Sequence, residues 1–211
     1  MKYFLSLILS LLLIPSESSA QKKSFDPAEK ISADSAKKSI VELLNELAKK
    51  HPGFYRYTTK AEFDDFVDSS LAAMTGPQDQ LNFYRSLKPL IAHIRCVHTG
   101  LSLSEDYVKH LNNEANMLPL NLFFTKDKAY VTNDYSGNGH LMPGTEILSI
   151  NGKAIQEIKK IIFKDISSDG FNETLKYQLL NNRFAQAYRS NIEVTDQLKS
   201  GLIAHPDPKK R

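Results

Sequence analysis

The stretch LMPGTEILSINGK, Leu141 to Lys153, constrains the fold more than any other part of the chain. Thr145 to Ile150 alternates in polarity over a length that suits a strand and not a helix. Gly144 lets the backbone turn tightly into that strand. Asn151-Gly152 closes it with a dipeptide that tolerates positive φ at both central positions of a two-residue hairpin turn. Helical spacing resumes at once, at Ile155, Ile158, Ile161 and Ile162, so a helix should follow the hairpin directly. Just upstream, Leu118 to Phe124 is a short apolar run rich in strand formers. A polar turn at Thr125 to Lys128 separates it from a second strand, Ala129 to Thr132, and the two should pair as a hairpin. Ser136 to Gly139 reads as a loop.

The preceding hundred residues carry a different period. Ile40, Val41, Leu43, Leu44 and Leu47 repeat at helical spacing up to His51-Pro52-Gly53, where Pro disfavours helix before it. Thr59 and Glu62 stand at capping-box spacing ahead of a stripe of Phe63, Phe66, Val67, Leu71 and Met74. A third stripe, Leu81, Tyr84, Leu87, Ile91 and Ile94, contains Pro89, which predicts a kink or a break. A short fourth helix is expected over 105–113. Beyond the β segments, Asp169-Gly170 ends one helix, and Leu175, Leu179, Phe184 and Tyr188 sketch one further amphipathic helix.

The ends have their own composition. Lys2 precedes an apolar run from Phe4 to Ile14, and Ser18-Ser19-Ala20 puts small residues before Gln21. This is the pattern of a secretory signal peptide, and the run is too short to span a bilayer. The chain is therefore expected to be exported, to the periplasm or the extracellular space, with no stable membrane span after cleavage. Residues 21–34 read as a flexible leader, and 191–211 as a disordered tail. The single Cys96 excludes an internal disulfide, so core packing must hold the fold. The net charge of +3 is matched by Lys209, Lys210 and Arg211 alone, which leaves no basic patch for nucleic acid.

The segment 141–153 resembles the signature of PDZ domains, in which an apolar residue, a Gly and an acidic residue precede an I-L-x-I-N-G run. Three other segments extend the likeness. His51-Pro52-Gly53-Phe54-Tyr55-Arg56-Tyr57-Thr58, Ile94-Arg95-Cys96-Val97-His98-Thr99 and Ile166-Ser167-Ser168-Asp169-Gly170 look like motifs of the tail-specific (C-terminal-processing) serine peptidase family, and they occur in the same order. The resemblance covers about residues 35–190. It implies a helical N-terminal region, then a PDZ-like domain that recruits substrate, then an α/β catalytic domain with a Ser nucleophile and a Lys general base. The residues after Tyr188 are too few for that third part. The sequence therefore reads as the front of such a peptidase without its catalytic dyad, or as a freestanding secreted peptide-binding module.

The expected fold class is α+β: a helical N-terminal region over 35–113, a small PDZ-like β-domain over 117–170 and a trailing helix over 171–190. PDZ domains bind by strand addition, with an extended peptide pairing to an open sheet edge beside a helix. The resemblance places that edge on Leu118, Leu120, Asn121, Leu122 and Phe123, and the opposing helix wall on Ile155 and Ile158. Each of these side chains also fits an ordinary core position. The expected partners are extended or C-terminal peptide segments, and a separate chain could supply catalysis. No cofactor, metal or catalytic residue is expected: the sequence holds no G-x-S-x-G elbow, no H-E-x-x-H, no paired Cys and no phosphate loop. His98-Thr99 is the most suggestive remaining pair. It reads either as part of the surroundings of a peptidase site or as a helix-ending His whose ring caps backbone groups.

Overall fold

A computed structural model describes residues 25–114, 117–137 and 141–198, together with the backbone of 203–204. The expected signal segment, 1–20, lies outside the described residues, as does part of the loop after Ser136.

Strand β1 (Lys30–Ile31) leads into helix α1 (Ala33–Lys50), which starts where the Ser32 hydroxyl accepts from the Ser35 N–H at 3.1 Å. Asp34 in the first turn and Lys49 and Lys50 in the last complement the helix dipole. Helix α2 (Lys60–Ala72) carries the capping box read from sequence. Glu62 N–H donates to the Thr59 hydroxyl, and the Glu62 carboxylate accepts from Thr59 N–H at 2.9 Å. Strand β2 (Gln78–Asp79) pairs antiparallel with β1, so the expected flexible leader is ordered from residue 25 onward. Helix α3 (Gln80–Ala92) is capped by Asp79 and is continuous through Pro89. Helix α4 (Glu105–Asn113) follows. Ile40, Leu44, Phe63, Leu87, Leu90 and Ile94 anchor the core shared by α1, α2 and α3, while Tyr107 and Leu111 of α4 pack with Leu81 and Tyr84 of α3 in a smaller cluster.

The β region begins at strand β3 (Leu120–Phe124), which pairs antiparallel with β4 (Ala129–Asp134) through a bulge at Asn121/Leu122. Period-2 alternation puts Leu120, Leu122 and Phe124 inward and Phe123 outward. The single strand expected at 145–150 divides at exposed Leu148. Strand β5 (Glu146–Ile147) pairs with β4, whereas β6 (Ser149–Ile150) pairs with β7 (Lys153–Ala154) across the Asn151-Gly152 turn. Asn151 and Gly152 take φ of 51° and 83°, the geometry that the dipeptide favours. Helix α5 (Ile155–Lys164) buries Ile155, Ile158, Ile162 and Phe163.

Two expectations fail beyond this point. The single trailing helix is two, α6 (Thr174–Asn182) and α7 (Phe184–Asn191), broken at Arg183. Their buried stripe is Leu180, Phe184 and Tyr188, displaced from the predicted Leu175 and Leu179. Nor does the tail leave the fold at 191. Ile192 and Leu198 pack on the β core, and strand β8 (Ile203–Ala204) pairs with β5, so the larger sheet runs β3-β4-β5-β8.

The result is an α+β fold whose described residues form three hydrophobic clusters, with the helical and β regions tied to each other. Arg85 of α3 donates to the carbonyls of Ser190 and Arg189 at 2.9 and 3.1 Å, and Arg189 donates to the Leu111 carbonyl at 3.0 Å. Burial lowers the pKa of both guanidinium groups, and these carbonyls partly replace lost water. Among the described residues, no helix is long and apolar enough to cross a membrane.

Candidate peptide groove and motif junction

The groove read from sequence needs a bare β3 edge facing α5. In the structure α6 packs on β3, and α7 packs on both β3 and α5. The Phe184 ring lies 5.2 Å from that of Phe124, and Leu180, Phe184 and Tyr188 are almost fully buried. Asn181 completes the cover. Its carboxamide oxygen accepts from Phe124 N–H at 2.8 Å, and its nitrogen donates to the Phe124 carbonyl at 3.3 Å. These are the two main-chain groups that a visiting strand would pair with.

The predicted groove residues are corrected accordingly. Leu118, Leu120, Leu122, Ile155 and Ile158 are core residues, each 5 % exposed or less. Asn121 is half-buried, and only Phe123, 51 % exposed, stands clear of the core. The reason is the break at Arg183: it lets α7 turn back against the sheet and α5, while α6 lies along the β3 edge where a peptide was expected. Tyr188 is pinned there by its hydroxyl, which donates to Glu193 at 3.2 Å, and the Asn151 amide donates to the same carboxylate at 3.0 Å. Burial raises the Tyr188 pKa, so the phenol stays a donor. The Asn-Gly turn thus also ties down the segment after α7.

The other three motifs converge although they are far apart in sequence. His51 Nδ1 accepts from Gly53 N–H at 3.1 Å, so in the neutral ring Nε2 carries the proton and donates to Thr99 Oγ1 at 2.9 Å. Ser167 Oγ donates to the Thr99 carbonyl at 2.7 Å. Val97 N–H donates to Asp169 Oδ1 at 2.9 Å, and Gly170 N–H to the Arg95 carbonyl at 3.0 Å. The ring-to-backbone cap expected of His98 is made by His51, while His98 is exposed. Cys96 is half-buried against the helical core. This junction is built from hydrogen bonds and presents no nucleophile–base pair.

One carboxyl is out of place. Asp165, after α5, is 4 % exposed, and its Oδ1 has no hydrogen-bond partner. Burial pushes its pKa up to about 6 despite Lys164, Lys88, Arg85 and Lys176. Among the described residues, no group of three or more His, Cys, Asp or Glu side chains is placed to hold a metal ion.

Fold and site together define an α+β chain in which a helical unit is bolted to a small antiparallel β-unit whose strand edge is covered by the chain's own helices. In comparison with known proteins, no family model and no curated protein matches it.

Proposed function

We propose that this chain is an exported recruiter of extended polypeptide, equivalent to the substrate-binding front of a tail-specific serine peptidase, and that its own helix α6 occupies the recruiting edge. The observation that carries the reading is the Asn181–Phe124 pair, a side-chain amide that satisfies a strand-edge N–H and C=O as an incoming peptide would. The Gly144 bend, the Asn151-Gly152 turn and the helix directly after it support the PDZ-like assignment, with φ of 87° at Gly144. Catalysis is not assigned to any residue of the chain.

Recruitment then requires α6 to lift while α7 stays docked. That exposes Leu180 and breaks three hydrogen bonds, the two at Phe124 and the one from Lys176 Nζ to the Phe163 carbonyl, a cost of about 3 kcal/mol. The open form is then about a hundredth of the population, and an intrinsically micromolar site binds about a hundred times more weakly.

The test is a fluorescence titration with labelled C-terminal peptides. Wild-type protein should bind in the range of roughly hundreds of micromolar, and Asn181→Ala about fivefold more tightly, because it loosens the closed form alone. Equal or weaker binding by Asn181→Ala would show that the α6 contact is purely structural. Casein incubated with this chain alone should remain intact.

A further inference from the structure

The three-motif junction ends at the surface in a row of stacked cations and aromatic rings. The Arg56 guanidinium lies over the Tyr57 ring, 5.5 Å from its centre. Tyr57 meets Phe171 edge-on at 6.3 Å, and the Arg95 guanidinium lies 4.2 Å over Phe171. Phe171 is 72 % exposed and Tyr57 37 %. Aromatic rings and arginines of this kind are what binding hot spots are made of.

The row is held in place at a cost. Arg95 has φ of 59°, a left-handed conformation that a Gly or Asn would adopt with less strain. It is fixed there by buried Ile94 on one side and by the Gly170 N–H on its carbonyl on the other. Gly170 is itself constrained, since a Cβ there would come within 3.1 Å of the Tyr57 ring. A strained arginine under an exposed ring is a poor choice for stability and points to a role at the surface.

Charge identifies what the row would take. Among the described residues, neither Arg56 nor Arg95 has an ion-pair partner, and the Arg95 Nε is buried without a hydrogen bond. The carboxylate of neighbouring Asp169 is engaged by Val97 N–H. Half-buried Lys176 adds positive charge; burial, with a smaller contribution from Arg95, lowers the pKa of both Lys176 and His93. Beside Arg56 opens a hollow of ≈ 700 Å³, lined by Ala48, His51, Pro52 and Tyr55. We propose that the Arg56–Tyr57–Phe171–Arg95 row is a second docking surface, which holds an acidic peptide segment that carries an aromatic side chain. Its carboxylates face the two guanidinium groups, and its ring adds to the stack or enters the hollow. This surface lies apart from the β3 edge.

The test uses the whole chain and three labelled peptides: acidic GDEYDFEG, its neutral analogue GNQYNFQG and basic GKKYKFKG. Fluorescence anisotropy at low salt should show the acidic peptide binding at least about tenfold more tightly than either other. Raising the salt should weaken it severalfold. Phe171→Ala and Arg56→Gln, both at exposed positions, should each lose about tenfold, while Asn181→Ala leaves this probe unchanged. Circular dichroism melts establish that each variant is folded. Equal binding of the three peptides overturns the proposal. So does unchanged binding by both surface variants, or binding to phosphatidylglycerol vesicles with none to the acidic peptide.

Discussion

The Asn181 carboxamide faces Phe124 so that one side chain both accepts from its N–H, at 2.8 Å, and donates to its carbonyl, at 3.3 Å. A strand edge left bare invites pairing with other chains, and a covering helix is one way to prevent it. Here the cover is thin. Leu180 is the one buried side chain that α6 contributes, whereas α7 buries Phe184, Ala185 and Tyr188. The two helices therefore differ in how readily they leave the sheet, and α6 is the one that can move at modest cost.

Thr99→Val should destabilise the fold by about 1–2 kcal/mol, because the half-buried His51 Nε2–H loses its acceptor. Thr99→Ser keeps the hydroxyl and should fall within about 0.5 kcal/mol of wild type. Urea midpoints of the three proteins check this. If valine costs nothing, the His51–Thr99 bond does not hold the junction.

Gly170→Ala should cost about 1–2 kcal/mol from its φ of +59° alone, and more from the approach to the Tyr57 ring. Combining it with Tyr57→Ala should relieve the clash but not the backbone strain. A thermal-melt double-mutant cycle separates the two contributions. Strict additivity would mean that Tyr57 does not sit over the glycine.

Asp165 gives a dependence on pH. Its folded pKa of about 6 lies above the ordinary 3.8, so the folded chain holds the proton more tightly than the unfolded chain. The resulting penalty is absent below about pH 4, sets in between about 4 and 6 and is complete above that, at on the order of 2–3 kcal/mol. Asp165→Asn should therefore stabilise the protein at pH 7.5, with the gain vanishing near pH 4. Denaturation at both pH values measures it. Equal destabilisation at both would mean that the carboxylate has a favourable partner.

Local chemistry was legible in the sequence where short-range rules decide the structure. Thr59 and Glu62 cap α2, Asn151-Gly152 turns, and the Ile155–Phe163 stripe is buried as its spacing requires. What could not be read there depends on contacts between distant segments. Nothing local to Leu148 shows that β5 and β6 join different sheets. The break at Arg183 is marked by no Pro or Gly, and the tertiary gain of burying Phe184 and Tyr188 decides it. The spacing of Phe184 and Tyr188 did carry a signal, since residues four apart share a helix face. The meeting of His51 with Thr99 across 48 positions left no local trace beyond the motifs themselves.

The most direct test of the covered edge is native-state hydrogen exchange at the Phe124 amide, with the Val131 amide, bonded to the Thr145 carbonyl at 2.9 Å, as the reference for full opening of the sheet. Phe124 should exchange through an opening of about 3 kcal/mol, well below that of Val131, together with the amides of α6, and a bound C-terminal peptide should slow it. Exchange of Phe124 only at the free energy of Val131, unaffected by peptide, would contradict this.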